Sequence, residues 1–362
     1  MFQLNFTTLT AAEIALTAAQ KLSTELADWE KHVWQFILDW NNSSINTIEV
    51  STSGSTGEPQ KIYHTKKHVI VSAKNTCQAL SLNVGCSALL CLPANKISGS
   101  MMLVRSMVNR MNLICIKPSA TPLSDLTEDI KIDFAAFTPS QLFEVMHNNI
   151  SLKKLEKIEH VILGGENIQP TLKSKLENFK TGIYQTFGMT ETISHIALKK
   201  ISGSNKSKYY KLMPDIGISI DKRNCLVIKA PTLGQPVLVT NDVVSIISDK
   251  EFEWLGRFDN VINSGGIKLY PEIIEEQLKT KIETPFFITG INSTKTGNTI
   301  ALVLEKSTLS ENELVELKSV LLKLDSISRP KKLFFVPTFS RTENGKISRN
   351  KTLINQIDSI DL

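Results

Sequence analysis

The chain has few cysteines: Cys77, Cys86, Cys91, Cys115 and Cys225 are all there are, and no CxxC pair occurs among them. An odd and scattered set argues against a disulfide framework and against a zinc knuckle, and a reducing cytoplasm fits it best. No apolar run reaches the ~18 residues of a membrane-spanning helix. The opening MFQLNFTTLTAAE has no basic stretch ahead of an apolar one, so neither export nor membrane insertion is expected. Blocks of one charge are also missing: 41 basic residues face 36 acidic ones, for a formal charge of +5. Nothing there recruits nucleic acid or a membrane surface, whereas anionic small molecules remain suitable partners. The histidines form no HxxxH or HxH pair on a plausible metal face. The phosphate-loop pattern GxxxxGK[ST] does not occur, and Gly345-Lys346-Ile347-Ser348 lacks its spacing. Internal repeats and low-complexity tracts are absent as well.

What is present is an ordinary globular composition, 41% hydrophobic over 362 residues, enough for two domains or a large one with an appendage. Thr10-Ala-Ala-Glu13 is a capping box, and Trp29, Val33, Phe36, Ile37 and Trp40 recur at helical spacing, so the first forty residues read as two amphipathic helices. From Ile45 to about Phe187, short β-rich runs (TIEVST, ALLCLP, LICIKP, AAFTPS, HVILGG, IYQTF) alternate with helical stretches at 66–80, 98–110 and 170–178. That alternation predicts a layered α/β domain. Between Cys225 and Trp254 the closely spaced runs CLVIKA, PVLVTN, VVSIIS and FEWL predict an antiparallel β subdomain. A smaller α+β unit follows, with Pro271 opening a helix at PEIIEEQLK, strands at FFITGI and TIALVLE, and a helix over 310–324. The expected division is therefore 1–258 and 259–362. The lysines of KKISGSNKSKYYK read as a solvated loop.

Chemistry concentrates in six segments. Thr52, Ser53, Gly54, Ser55, Thr56 and Gly57 follow a predicted strand, and their hydroxyls and glycines suit a loop whose backbone N–H groups approach a polyphosphate. Phe187-Gly-Met-Thr-Glu191, Thr240-Asn-Asp242, Gly256-Arg-Phe-Asp259, Ser264-Gly-Gly-Ile-Lys268 and Arg341-Thr-Glu-Asn-Gly-Lys346 come after it in that order. This ordered set, spread from about Glu49 to Arg349, resembles the adenylate-forming superfamily of acyl-CoA synthetases, luciferases and peptide-synthetase adenylation domains.

The resemblance implies a large N-terminal α/β domain of layered parallel sheets with an antiparallel β subdomain, and a smaller, mobile α+β C-terminal domain. It implies ATP and Mg²⁺ as cofactors, CoA as co-substrate and a small-molecule carboxylic acid as substrate. The Ser/Thr/Gly loop would hold the β- and γ-phosphates, assisted by Lys61, although Pro59-Gln60-Lys61 stands where the family reads Pro-Lys-Gly. Gly165 and Glu166 would pass beside the adenine, and Phe187, with Gly188 after it, would stack on that ring. Thr190 would donate to a phosphate and Glu191 would hold Mg²⁺, because a hard cation takes carboxylate oxygen. Asp242 would accept both ribose hydroxyls, behind Asn241 in place of the usual glycine. Arg257 would contact ribose or phosphate, and Asp259 would be the hinge. Lys346 would bridge the attacking carboxylate and the α-phosphate. Ser264, Gly265 and Gly266 would line the pantetheine path.

A phosphate loop at residue 52 leaves little chain before it, and much of the family's N-terminal subdomain is expected to be missing. In this the chain is most like the short bacterial o-succinylbenzoate-CoA ligases of menaquinone biosynthesis, as is the stretch Leu92-Pro-Ala-Asn-Lys-Ile-Ser-Gly99 with Leu103-Val-Arg105. Lys96 stands where those relatives usually carry histidine. Lys96, Ser98, Gly99, Arg105, Ser140 and His195 are the expected acid-pocket residues, a cation there answering the second carboxylate of such a diacid. Two other readings remain open. One is a ligase for another acid, with CoA or a carrier protein as acceptor. The other is a nucleotide-binding relative that has lost catalysis. Oligomeric state is left open too.

Overall fold

The computed structural model describes residues 1–51, 61–165, 168, 170–176, 179–293, 297–341, 347–353 and 359–362. Its contacts divide the chain into two compact units. The first is formed by Met1–Ile218, Ile228–Leu238 and Ile247–Phe252, the second by Ser219–Val227, Val239–Ile246 and Glu253–Leu362.

In the first unit, strand β1 (Phe2–Asn5) precedes helices α1 (Ala11–Leu22) and α2 (Asp28–Asn41), and the hairpin β2 (Thr47–Ser51) and β3 (Lys61–Thr65) leads into α3 (Lys66–Ala79). Then follow β4 (Ser87–Leu90), α4 (Ile97–Val108), β5 (Asn112–Cys115), β6 (Phe134–Phe137), α5 (Pro139–Met146) and α6 (Asn149–Leu155). The unit continues with β7 (His160–Leu163), α7 (Pro170–Leu176), β8 (Gly182–Gly188), β9 (His195–Lys200) and β10 (Tyr210–Leu212). Strands β5, β4, β6, β7 and β8 run parallel in that spatial order. The strand β1 closes one side antiparallel to β5, and β9 and β10 continue antiparallel beyond β8. Ala88, Leu89 and Leu90, and the whole of Phe134–Phe137, are buried, as strands covered on both faces require. Each large apolar side chain so buried stabilises the fold by about 1.5–3 kcal/mol.

The expected alternation of strands and helices is therefore present, and the capping box of α1 forms with Thr10 N–H donating to Glu13 Oε2 at 2.8 Å. Several elements were not expected, β1 among them. The strand β1 is too short to show a period and exists by pairing with β5. The hairpin β2–β3 forms a two-stranded sheet of its own. Lys66, just after it, donates to the carbonyls of Asp39, Trp40 and Asn42 at 2.9, 2.7 and 2.9 Å. Its ammonium thus caps the C-terminal end of α2.

Strands β11 (Gly217–Ile220), β12 (Cys225–Ala230), β13 (Gln235–Ile246) and β14 (Glu251–Arg257) are neighbours in the order β14-β13-β12-β11, and the division between units falls within them. The runs PVLVTN and VVSIIS, expected as two strands, are one twelve-residue strand, β13. No glycine or proline falls between Val237 and Ile247 to turn the chain, so the ladder continues through Thr240, Asn241 and Asp242.

The rest of the second unit is α+β. It comprises β15 (Ile262–Ser264), β16 (Ile267–Leu269), α8 (Pro271–Leu278), β17 (Phe286–Ser293), β18 (Gly297–Leu304), α9 (Glu311–Leu321), β19 (Lys332–Phe335), α10 (Arg349–Leu353) and β20 (Ser359–Asp361). Leu278, Ile288, Leu302 and Leu333 are fully buried at the centre of its core.

All five cysteines are unpaired. Burial pushes the thiols of Cys77 and Cys86 up to about 11, and raises those of Cys91, Cys115 and Cys225 as well. None is a thiolate at neutral pH.

Candidate functional site

Strand β8 ends at Gly188, where the β8–β9 register shifts. A Cβ at that position would lie 2.4 Å from Ser194 O and 2.5 Å from His195 Cα, so only glycine lets the two strands approach. The connection between them is a single tight turn. Thr190–Thr192 form one 3₁₀ turn, and Ile193 closes it at φ +69°. A β-branched residue is strained there, and burial of its side chain to 1% exposure offsets the cost. The Thr192 hydroxyl accepts from Met189 N–H at 3.1 Å and sits 2.9 and 2.8 Å from the carbonyl oxygens of Met189 and Ser194. This turn presents Thr190 and Glu191, both half-buried. The carbonyl of Thr190 accepts from Ile193 N–H at 3.0 Å and from His64 Nε2 at 2.7 Å. Glu191 has no cationic partner among the described residues, and its carboxylate is the hard oxygen donor that a phosphate-bound Mg²⁺ takes.

Just before the turn, Phe187 packs edge-on against Phe252 and tilted against Tyr210, at centroid distances of 5.1 and 5.5 Å. Just after it, Ser194 and His195 meet α4. Arg105 is 2% exposed, and its Nη2 donates to Ser194 Oγ at 2.9 Å. Its Nε has no partner and no described carboxylate pairs with it, although burial lowers its pKa only to about 10 and leaves it charged. Burial and the nearby Arg105 charge hold His195 well below the usual histidine range, so its ring is neutral at pH 7. Its two nitrogens lie 3.3 Å from Ser194 Oγ and 3.1 Å from Thr76 Oγ1. Thr76 in turn donates to Ser72 O at 3.2 Å. One consistent chain of donors results: Arg105 to Ser194, Ser194 to His195 Nδ1, His195 Nε2–H to Thr76, and Thr76 to Ser72.

Of the expected acid-pocket residues, the structure brings Arg105 and His195 together, with Ser194 and Thr76, which sequence reading missed. Lys96 and Ser98 are exposed at the opposite end of α4, separated from Arg105 by about 13 Å of helix rise for the former. Gly99 is buried against the backbone of Leu92 and Pro93, and Ser140 is exposed in the first turn of α5. Lys61 is exposed on β3 and pairs with Glu49 at 2.8 Å, which raises its pKa. Gly165 follows β7 at φ +92°. Residues 52–57, Glu166 and Lys346 lie outside the described residues.

In the second unit, Asp242 is 7% exposed. Its Oδ1 accepts from Trp254 Nε1 at 2.9 Å, and its Oδ2 is 3.6 Å from Arg257 Nη1. Burial raises its pKa, against the opposing pull of Trp254 and Arg257. Arg257 also approaches Asp259 at 3.7 Å. Asn241, in its unusual place before Asp242, is fastened by Arg223 Nη1 donating to its Oδ1 at 2.9 Å, while its own Nδ2 donates to Asp259 at 3.4 Å. Ser264, Gly265 and Gly266 form the β15–β16 turn, where the two glycines, at φ +57° and +81°, are exposed.

The sequence profile of the family described as AMP-binding enzyme matches residues 50–237. An acyl-CoA synthetase (AMP-forming)/AMP-acid ligase II-like protein from Dyadobacter fermentans is 30% identical, with a TM-score of 0.66 over 97% of this chain and 98% of that one. The 2-succinylbenzoate–CoA ligase of Staphylococcus epidermidis is 26% identical over 86% of this chain and 70% of its own length. The o-succinylbenzoate CoA synthetase of Bacillus subtilis, solved with its acyl-adenylate, shares the fold at a TM-score of 0.68 and 20% identity, over 87% of this chain and 70% of that one. The same enzyme with ATP and magnesium ion gives 0.66 at 21% identity, over 96% and 83%.

Proposed function

This chain belongs to the AMP-binding enzyme family, and from that premise we propose that it is an AMP-forming acid–CoA ligase that converts 2-succinylbenzoate to 2-succinylbenzoyl-CoA, in the cytoplasm, for menaquinone biosynthesis. The observation that carries the choice of acid is Arg105: a buried guanidinium on α4 without a carboxylate partner among the described residues, bonded to Ser194 beside the turn that presents Thr190 and Glu191. A buried cation needs an anion. A substrate with one carboxylate to activate and one to be held supplies it.

In the first half-reaction a carboxylate oxygen bonds to the α-phosphorus and the bond to the β-phosphate breaks, releasing pyrophosphate. In the first unit, residues 52–57 and Thr190 would hold the phosphates, and Glu191 would hold Mg²⁺, which supplies charge neutralisation there when bound. In the second unit, Asp242 would accept the ribose hydroxyls and Arg257 would steady it. Lys346 would offset repulsion between the two reacting anions. The part of the chain from 259 onward would pivot at Asp259. In the second half-reaction the CoA thiol, admitted along Ser264, Gly265 and Gly266, attacks the carbonyl carbon and loses its proton as AMP departs.

The test is pyrophosphate release by the purified chain with ATP, Mg²⁺, CoA and a panel of carboxylic acids, with mass spectrometry of the thioester. A dominant response to 2-succinylbenzoate is expected. Preference for another acid would keep the ligase and discard the pathway, and silence with all acids would sink the catalytic reading.

A further inference from the structure

The hairpin of β2 and β3 is a two-stranded sheet separate from the main one. Thr190 and Glu191 must keep a fixed place if they are to hold Mg²⁺-bound triphosphate. On β3 the outward Lys61, Tyr63 and Thr65 are exposed, Ile62 is half-buried, and only His64 is buried, at 5% exposure. An aliphatic side chain would fill that inward position equally well. What the imidazole adds is the 2.7 Å contact to Thr190 O, 126 residues away in sequence. A carbonyl can only accept, so Nε2 carries the proton whether or not Nδ1 does.

The turn it grips needs an outside hold. It contains Ile193 at φ +69°, a conformation that persists only where surrounding contacts over-determine it. Ser194 is held by Arg105 on one side. On the other, Thr190 is held by His64.

We propose that His64 is a positioning residue of the nucleotide site, which ties the Thr190–Glu191 turn to β3 and so fixes Thr190 and Glu191 for Mg²⁺-bound triphosphate. The proposal rests on the ligase reading for the roles of Thr190 and Glu191. It assigns His64 no contact with acid or nucleotide.

The test compares His64→Leu, which removes the donor, with His64→Gln, whose amide reaches a similar distance. Steady-state pyrophosphate release would be titrated with ATP, Mg²⁺ and acid, and binding of ATP with and without Mg²⁺ followed by calorimetry. In His64→Leu the KM for ATP and the half-saturating Mg²⁺ concentration are expected to rise tenfold or more, with the KM for the acid within twofold. His64→Gln should stay within threefold of the parent in all of these. If His64→Leu does not fold, His64→Asn, too short to reach Thr190 O, should show the same loss. Unchanged ATP and Mg²⁺ dependence in the donor-less variant, or equal impairment of His64→Gln, overturns the proposal. A parent protein that binds ATP with Mg²⁺ but turns over no acid overturns the ligase reading instead, and the calorimetric comparison of the variants still decides the role of His64.

Discussion

Arg105 and Ser194, 89 residues apart, are joined by a 2.9 Å hydrogen bond that ties the last turn of α4 to the turn carrying Thr190 and Glu191. The proposed acid-pocket cation and the proposed phosphate-site turn are thus joined directly.

Replacing Arg105 by methionine keeps volume and removes the charge. Charge-assisted hydrogen bonds of this kind contribute about 1.5–3 kcal/mol. The KM for 2-succinylbenzoate should therefore rise roughly 10–100-fold, while turnover of an aryl monoacid should change little. Parallel kinetics with both acids check this, and equal losses would show that Arg105 does not read the second carboxylate.

His195 gives a pH signature. Its native pKa is depressed by burial and by Arg105, so the unfolded chain binds a proton that the folded one refuses. Its contribution is fully present above the unfolded value near 6.5 and is lost as pH falls toward the depressed native value, by about 1.4 kcal/mol per pH unit. Denaturant melts from pH 7.5 to 5 should show a shallower decline for His195→Gln than for the parent. An identical slope would mean that the buried ring is not neutral.

Asp242 is buried with its carboxylate facing Trp254 and Arg257. Asp242→Asn keeps the shape but weakens acceptance from a vicinal diol. The variant should lose most of the parent's preference for ATP over 2′-deoxy-ATP, with little change in thermal midpoint at pH 7, because a costly buried charge is removed along with its pairing. The ratio of kcat/KM for the two nucleotides measures it.

Lys346→Ala should nearly abolish adenylate formation yet spare thioester formation from preformed acyl-adenylate. Separate assays of the two half-reactions decide it, and comparable losses in both would refute the assigned role.

In the second unit, Arg349 donates to Ile288 O at 2.8 Å and pairs with Glu275 at 2.9 Å. Arg349→Met leaves the buried Glu275 unmatched, which costs about 3–5 kcal/mol. Glu275 already has a raised pKa from burial and would respond by protonating. Its unfolded counterpart releases the proton first as pH rises, so the variant should be weaker at pH 8 than at pH 5. Urea titrations at both pH values test the sign.

Much of the fold was legible because its signals are local. The runs ALLCLP, AAFTPS and HVILGG are continuous and apolar, as buried parallel strands must be, and Thr10 and Glu13 announced the first helix. The strand β1 gave no local signal, since FQLN becomes a strand only by pairing with β5. Glu191, Asp242 and Arg257 were named as candidates from ordered motifs. Ser194, Thr76 and His64 were not, because their roles arise from contacts spanning 89, 119 and 126 residues, and a lone serine, threonine or histidine looks the same on a surface or in a core. Lys96 and Arg105 were both open as the acid-pocket cation. Only the helix geometry, which exposes one end of α4 and buries the other, separates them.

The inert cysteines make this chain convenient for optical work. Because burial keeps all five thiols protonated at neutral pH, maleimide dyes should react far faster with one exposed cysteine introduced on each unit than with any resident sulfur. Fluorophore pairs could then follow distances during turnover in the otherwise unaltered sequence, with no prior cysteine-free background to engineer.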